Sequence, residues 1–312
     1  MVNSLKRVFS AKSFLFICTT LSVLLLFIFT LIQLSTQRVD FKKIIEVEGH
    51  QRGESRTLLS LVLTSKEYLD VRARAVGDTW GLKAKAIKDR RNSDSQVEVR
   101  FITDEDTSEY GLKNVPVEDT EYSTLYKKTF KAFYYVYQHY LNDFEWFMKV
   151  DDDTYVKLHR LMKHLNNPQL DHNEPLLFGR TGRDGVSCWG GPGYVMNRKT
   201  LSIVGPYIPY CLSNAAFQGP EDVQFAHCLE YAYNQTYSDG NHPRCQGFPD
   251  GHGQEFLHVL SNSPQWERVG YADELFKVEE DHRWIWSFGK SVTIHSALHG
   301  NMYKVDTLYG SS

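Results

Sequence analysis

Three consecutive carboxylates, Asp151-Asp152-Asp153, follow the largely apolar stretch Trp146-Phe147-Met148-Lys149-Val150 and precede Thr154-Tyr155-Val156. Side by side they repel one another, and partial burial adds to the cost of their charge. A solvated turn is the ordinary fate of an Asp run, but a surface turn rarely has such flanks. A hard divalent cation offsets the repulsion, because Mg²⁺, Mn²⁺ and Ca²⁺ prefer carboxylate oxygen. The triplet therefore reads as a metal site. A second acidic pair, Glu221-Asp222, opens a stretch of helical spacing through Phe225 and Cys228-Leu229. On local sequence alone these are ordinary helix N-terminal acids, favoured by the helix dipole.

The elements that must position these groups can be read from hydrophobic patterning. Leu58–Leu63 is a continuous apolar run broken by a single Ser, suited to a buried parallel strand, and it ends at Thr64-Ser65. Helical spacing runs from about Glu67 to Trp80. Val97–Ile102 alternates with period two and ends at Thr103-Asp104, a helix is expected from about Thr124 to Tyr140, and Phe144–Val150 forms a short strand running into the triplet. Strands alternating with helices predict an α/β domain with a largely parallel sheet. Such sheets bind ligands beyond the carboxyl ends of their strands, where Thr64, Ser65, Asp104 and the triplet all fall.

The composition of the 312 residues, 42% hydrophobic and 23% charged, supports a sizeable core and excludes a mainly disordered, collagen-like or coiled-coil chain. A net charge of −3 offers no broad basic footprint, so nucleic acid is not an expected partner. Ser13–Gln37 carries no charge, and a helix over Phe14–Leu34 rises ~32 Å, about one hydrocarbon thickness. A cleaved signal peptide would have a shorter apolar core and a small-residue cleavage pattern, so a membrane anchor is the better reading. The flanking positive charges nearly balance. Cys188, Cys211, Cys228 and Cys245 all lie C-terminal to the span, an even number that fits disulfides in an oxidising lumen, or four buried thiols. The expected organisation is a cytoplasmic tail over 1–12, a transmembrane signal anchor over 13–34, a stem over 35–56 and a luminal catalytic domain over 57–312. Asn234-Gln235-Thr236 is a candidate N-glycosylation site.

Several segments in order resemble one family. Trp146–Val156 is similar to the Asp-x-Asp signature of the family 31 glycosyltransferases, nearest to the core 1 β-1,3-galactosyltransferases. Thr64-Ser65, Arg74-Ala75-Val76 leading to Thr79-Trp80-Gly81, Lys128-Thr129, Phe178-Gly179-Arg180, Gly190–Val195 and Pro220–Val223 continue the series. The resemblance covers roughly Leu58 to Pro249, with a looser echo around His295.

The resemblance implies a GT-A-type, Rossmann-like nucleotide-sugar transferase domain behind one transmembrane helix, in a single-pass type II protein of the Golgi membrane. It implies inverting transfer of galactose from UDP-galactose, in β-1,3 linkage, to O-linked GalNAc of glycoproteins, with Mn²⁺ as the usual cofactor. Asp153 and His295 would hold the metal, with His299 as the alternative histidine. Thr64, Ser65, Arg74, Asp104, Lys128, Asp151 and Asp152 would line the donor site. Asp222 would be the general base, with Glu221, Trp189, Gly190 and Gly191 on the acceptor side. The glycines let backbone approach a ligand closely, and an indole face suits the apolar side of a sugar ring. Cys211 and Cys228 resemble a disulfide pair of the core 1 group, which leaves Cys188 and Cys245 as the other two. Family members often form homodimers.

The chain departs from the core 1 pattern at Cys188-Trp189, at Pro192 and at Ile294-His295-Ser296. A fringe-like β-1,3-N-acetylglucosaminyltransferase, another β-1,3-galactosyltransferase and a non-catalytic luminal chaperone are the alternatives.

Overall fold

In strand β1 (Thr57–Leu63), Leu59, Leu61 and Leu63 face one apolar cluster and Leu58 and Val62 face another. A strand covered on both sides must be apolar at nearly every position, which is why its sequence does not alternate. Strand β2 (Gln96–Ile102) pairs with it in parallel, and β3 (Lys113–Val115) extends that edge. On the other side lies β4 (Trp146–Asp151), also parallel, in a register that sets Leu63 beside Asp151. The computed structural model describes residues 57–89, 96–237, 240–249, 256–258 and 291–310. The expected tail, anchor and stem lie outside these residues. Among the described residues no helix is long and apolar enough to cross a membrane.

The sheet is largely parallel, as expected, with an antiparallel far edge. The short strand β5 (Tyr155–Val156) leaves it, and β6 (Leu177–Gly179) and β7 (Tyr194–Asn197) close its far edge by antiparallel pairing, giving the order β3-β2-β1-β4-β7-β6. A strand directly opposite an antiparallel neighbour can exchange hydrogen bonds without a helical crossover, and periodicity alone does not reveal that choice. A second sheet, β5-β9-β8, is built from β5, β8 (Phe256–His258) and β9 (Thr293–His295).

Helices cover both faces. Between β1 and β2 comes α1 (Leu82–Asp89), preceded by Lys66–Gly81, where one regular helix is expected from the sequence. The chain instead forms short turns of changing width with a kink at Thr79, whose hydroxyl donates to the Ala75 carbonyl at 2.6 Å. Such back-bonding competes with the helical ladder. Helix α2 (Leu125–Tyr140) packs on the face that carries Leu59, Leu61 and Leu63, and α3 (Leu158–Leu165) on the other. Helices α4 (Arg198–Val204), α5 (Ile208–Ser213) and α6 (Glu221–Thr236) join α2, with the Phe133 and Phe225 rings 5.0 Å apart. The last helix, α7 (His299–Tyr309), adds Met302 and Val305 to the opposite cluster.

Disulfides join Cys211 in α5 to Cys228 in α6, and Cys188 to Cys245. The first staples two consecutive helices. The second ties the segment before Trp189 to the stretch beyond α6.

Candidate active site

Strand pleating sorts the residues of β4. Phe147, Lys149 and Asp151 share the face toward α2 and α6, whereas Trp146, Met148 and Val150 point to the other cluster. Beyond Leu63 and Asp151 the two strands remain side by side, and the Asp152 amide donates to the Leu63 carbonyl at 3.1 Å. Thr64 is thereby set against Asp152, to which its hydroxyl donates at 2.8 Å. Arg72 reaches the other oxygen of Asp152 at 3.3 Å while its guanidinium stacks on Tyr68. Burial pushes the Asp152 carboxyl up to about 7, against the opposing pull of Thr64 and Arg72.

The second sheet delivers the histidine. Residues just past the triplet form β5, which pairs with β9 so that Tyr155 opposes Ile294. His295 then falls beside Asp153, and the Ala297 amide closes the turn on the Asp153 carbonyl at 2.7 Å. Ser296, at φ 62°, takes the left-handed conformation that an L-residue adopts at a cost. His295 Nε2 lies 3.2 Å from Asp153 Oδ1 and 3.9 Å from Asp151 Oδ2. One ligand atom each from Asp151, Asp153 and His295 lies within 4.8 Å of the others. Two carboxylates and an imidazole, all half-buried, fit a divalent ion such as Mn²⁺. Burial alone would raise Asp153, but His295 holds it below the ordinary carboxylate value; Asp151 is raised by burial and by Asp153, against Lys149.

The opposite wall is the tight turn Gly190–Gly193 and the N-terminus of α6. Gly193 sits at φ 85°, a conformation that favours glycine, and its amide donates to the Gly190 carbonyl at 3.0 Å. The Gly190 amide donates to Asp222 Oδ2 at 2.9 Å, and Asp222 Oδ1 accepts from the Val223 amide at 2.9 Å. Asp222 is half-buried, with its carboxylate across the turn from the cation cluster. Trp189 is half-buried with the Arg180 guanidinium 4.4 Å over its ring.

The galactosyltransferase family model matches residues 72–217, which include the triplet and the glycine turn. Glycoprotein-N-acetylgalactosamine 3-beta-galactosyltransferase 1 of Xenopus laevis is 31% identical over 178 residues, 55% of this chain and 44% of that protein. Over residues 72–217 this chain is similar to the galactosyltransferase family. Human chondroitin sulfate synthase 3 is 30% identical over 188 residues, 54% of this chain and 20% of that protein. The chain thus spans less than half the length of these relatives. A solved glycosyltransferase involved in the glycosylation of the major capsid of PBCV-1 superposes with a TM-score of 0.38 at 13% identity, covering 81% of this chain and 97% of that one. So loose a likeness adds nothing to the fold described above.

The residues expected from sequence have different fates. Thr64, Asp151, Asp152, Asp153, Gly190, Gly191, Asp222 and His295 gather around the end of β4 and the glycine turn. His299 begins α7, and its side chain lies outside the described residues. Ser65 is half-buried just past Thr64, and Asp104 is exposed beyond the end of β2. Lys128 is buried, donating to the Thr64 carbonyl and to Asp119, so it supports the end of β1 from beneath. Asn234 is exposed near the end of α6.

Two of the expected residues are engaged elsewhere. Arg74 is exposed and paired with Asp70 and Glu109; the arginine on the acidic run is Arg72, carried by the wide turn Leu69–Ala73. Glu221 is buried rather than open to an acceptor, with one oxygen accepting from the Tyr194 hydroxyl at 2.7 Å and the other 3.1 Å from Lys149 Nζ. Lys149 itself escaped attention. A lysine inside an apolar strand, two residues before an aspartate, was the signal: it must find acceptors on its own face.

Proposed function

We propose that this chain is a metal-dependent, inverting glycosyltransferase that moves galactose from UDP-galactose, in β-1,3 linkage, onto O-linked GalNAc of glycoproteins. The observation that carries the reading is the convergence of Asp151, Asp153 and His295 at the end of β4, with Asp222 across the glycine turn. The match to the galactosyltransferase family and the relative named glycoprotein-N-acetylgalactosamine 3-beta-galactosyltransferase 1 support the choice of donor and acceptor. Mn²⁺ held by Asp153, His295 and Asp151 would supply Lewis-acid stabilisation of the charge gathering on the departing diphosphate.

The chain's own groups have distinct tasks in this reading. Asp152, braced by Thr64 and Arg72, presents its carboxyl to the ribose or donor sugar. Trp189 and the Gly190-Gly191 backbone bind the acceptor sugar. Asp222 takes the proton from the acceptor hydroxyl as its oxygen bonds to the anomeric carbon and the bond to UDP breaks. One displacement with the base opposite the leaving group inverts that carbon. The charge-free run Ser13–Gln37 would anchor the enzyme, type II, in the Golgi membrane.

The test is transfer itself. The luminal part, incubated with Mn²⁺, UDP-galactose and a GalNAc-peptide, should yield a β-1,3-linked disaccharide and release UDP. No transfer to that acceptor, with transfer to another, would reassign the specificity.

One observation favours a second acceptor class. A relative named for chondroitin sulfate matches about as well as the GalNAc-directed one, and Cys188-Trp189 and Pro192 depart from the core 1 pattern at the acceptor wall. Parallel assays with chondroitin oligosaccharides and a panel of UDP-sugars separate the two.

A further inference from the structure

Lys149 is almost fully buried, at 1% exposure, in the strand that delivers the acidic triplet. An ammonium there is costly unless each of its three donors finds an acceptor. Three are in reach: Asp151 Oδ1 at 2.7 Å, Glu221 Oε2 at 3.1 Å and the Gly190 carbonyl at 3.2 Å. They belong to three separate pieces of chain, namely the end of β4, the N-terminus of α6 and the glycine turn. In the antiparallel register Lys149 lies directly opposite Tyr194, whose hydroxyl donates to the remaining oxygen of Glu221. A cross-strand pair thus grips one buried carboxylate from two sides.

Gly190 is held at both of its polar atoms, its carbonyl by Lys149 and its amide by Asp222. The fit is close, since a Cβ on Gly190 would lie 2.7 Å from Glu221 Oε2 and 3.3 Å from Lys149 Nζ. Two short paths therefore run from Lys149 to Asp222, one through Gly190 and one through the adjacent residue Glu221. A third contact reaches Asp151 of the cation cluster.

We propose that Lys149 is a positioning residue for sugar transfer: its buried ammonium ties Asp151 of the cation cluster to Gly190 and Glu221, and so fixes Asp222 relative to the bound donor. The idea rests on the glycosyltransferase reading above. Its consequence for the chemistry is geometric, because a shift of the base by about 1 Å costs on the order of 10²-fold in rate.

Charge and geometry predict different effects, which makes the idea testable. Removing the Lys149 ammonium together with the Glu221 carboxylate leaves the net charge around the cation site nearly unchanged, so affinity for Mn²⁺ with UDP should hold. Turnover at saturating donor and acceptor should nevertheless fall ~10²-fold. The variant to measure is Lys149→Met combined with Glu221→Gln, which removes the buried ammonium together with a buried carboxylate facing it. Titration calorimetry gives Mn²⁺ and UDP affinity, and steady-state kinetics separate kcat from KM.

Held Mn²⁺ affinity with collapsed kcat supports the proposal. A kcat within about threefold of wild type overturns it. So does a proportional loss of Mn²⁺ affinity and kcat, the signature of general structural damage. If the double variant does not fold, Lys149→Arg keeps the charge in a longer, planar group and undergoes the same measurements. There a kcat ~10-fold down with Mn²⁺ affinity held supports positioning, and wild-type kcat overturns it. Failure of the wild-type protein to bind UDP with Mn²⁺ would instead overturn the functional reading beneath.

Discussion

Gly191 lies flat against the imidazole of His295: a Cβ on Gly191 would sit 2.4 Å from Cε1 and 2.7 Å from each ring nitrogen. The Gly191 carbonyl accepts from the Thr154 hydroxyl at 2.8 Å, which tethers the turn. The glycine turn and the candidate metal histidine therefore define each other. Gly191→Ala should push the ring away from Asp153 and weaken Mn²⁺-dependent UDP binding, at a stability cost of ~1–3 kcal/mol from overpacking. Calorimetric titration and thermal unfolding read the two effects, and unchanged UDP affinity would detach His295 from the metal site.

Asp222 accepts amide bonds from Gly190 and Val223, and an asparagine in its place keeps one carbonyl acceptor while losing basicity. Asp222→Asn should leave UDP binding intact and lower turnover by ~10²- to 10⁴-fold. Near-normal turnover would move the base elsewhere. Glu221 is no ready substitute, since both its oxygens are occupied by Tyr194 and Lys149.

The contrast between these two acids marks what the sequence could and could not convey. Adjacent in the chain, they look alike; the first turn of α6 sends one into the sheet face and the other to the glycine turn. The acidic triplet was legible because carboxylates amid apolar residues demand a compensating charge, and β1 and β2 were legible from their apolar patterns. The kink at Thr79 was not, since it arises from a hydroxyl-to-carbonyl bond within a stretch whose spacing still looks helical. Nor was the wide turn Leu69–Ala73, from which Arg72 reaches Asp152. The antiparallel edge formed by β6 and β7 was equally hidden, because a short apolar strand looks the same in either direction.

The Cys211–Cys228 bridge closes a short loop that leads into α6 and Asp222, with a sequence separation of 17. Replacing both cysteines with serine should lower stability by ~3 kcal/mol, chiefly through the freed unfolded chain. Urea unfolding of the oxidised wild type and the double variant measures this. Equal midpoints would show that the bridge adds nothing.

Asp184 organises the loop before Cys188, accepting from the Val186 and Ser187 amides, each at 3.0 Å, and from the Ser187 hydroxyl at 2.7 Å. Slight burial works against its charge, but these bonds outweigh it and hold the carboxyl below its ordinary value of 3.8. A depressed carboxylate stabilises the fold above its unfolded pKa and loses that contribution as pH falls through the folded one. Asp184→Ala should therefore lower Tm at neutral pH, by a small amount for so exposed a group. The gap from wild type should close as the pH drops below 3.8. A gap that persists in acid would assign the effect to something other than the carboxylate.

Asp153→Asn probes the centre of the account. It removes the anionic oxygen nearest His295 Nε2 while keeping the side chain's size and its backbone contacts. UDP binding to wild-type protein, titrated with and without Mn²⁺, should depend strongly on the metal, and the variant should lose that dependence while remaining folded. Equal UDP affinity in both proteins, or binding indifferent to Mn²⁺ in the wild type, would contradict a cation held by Asp151, Asp153 and His295.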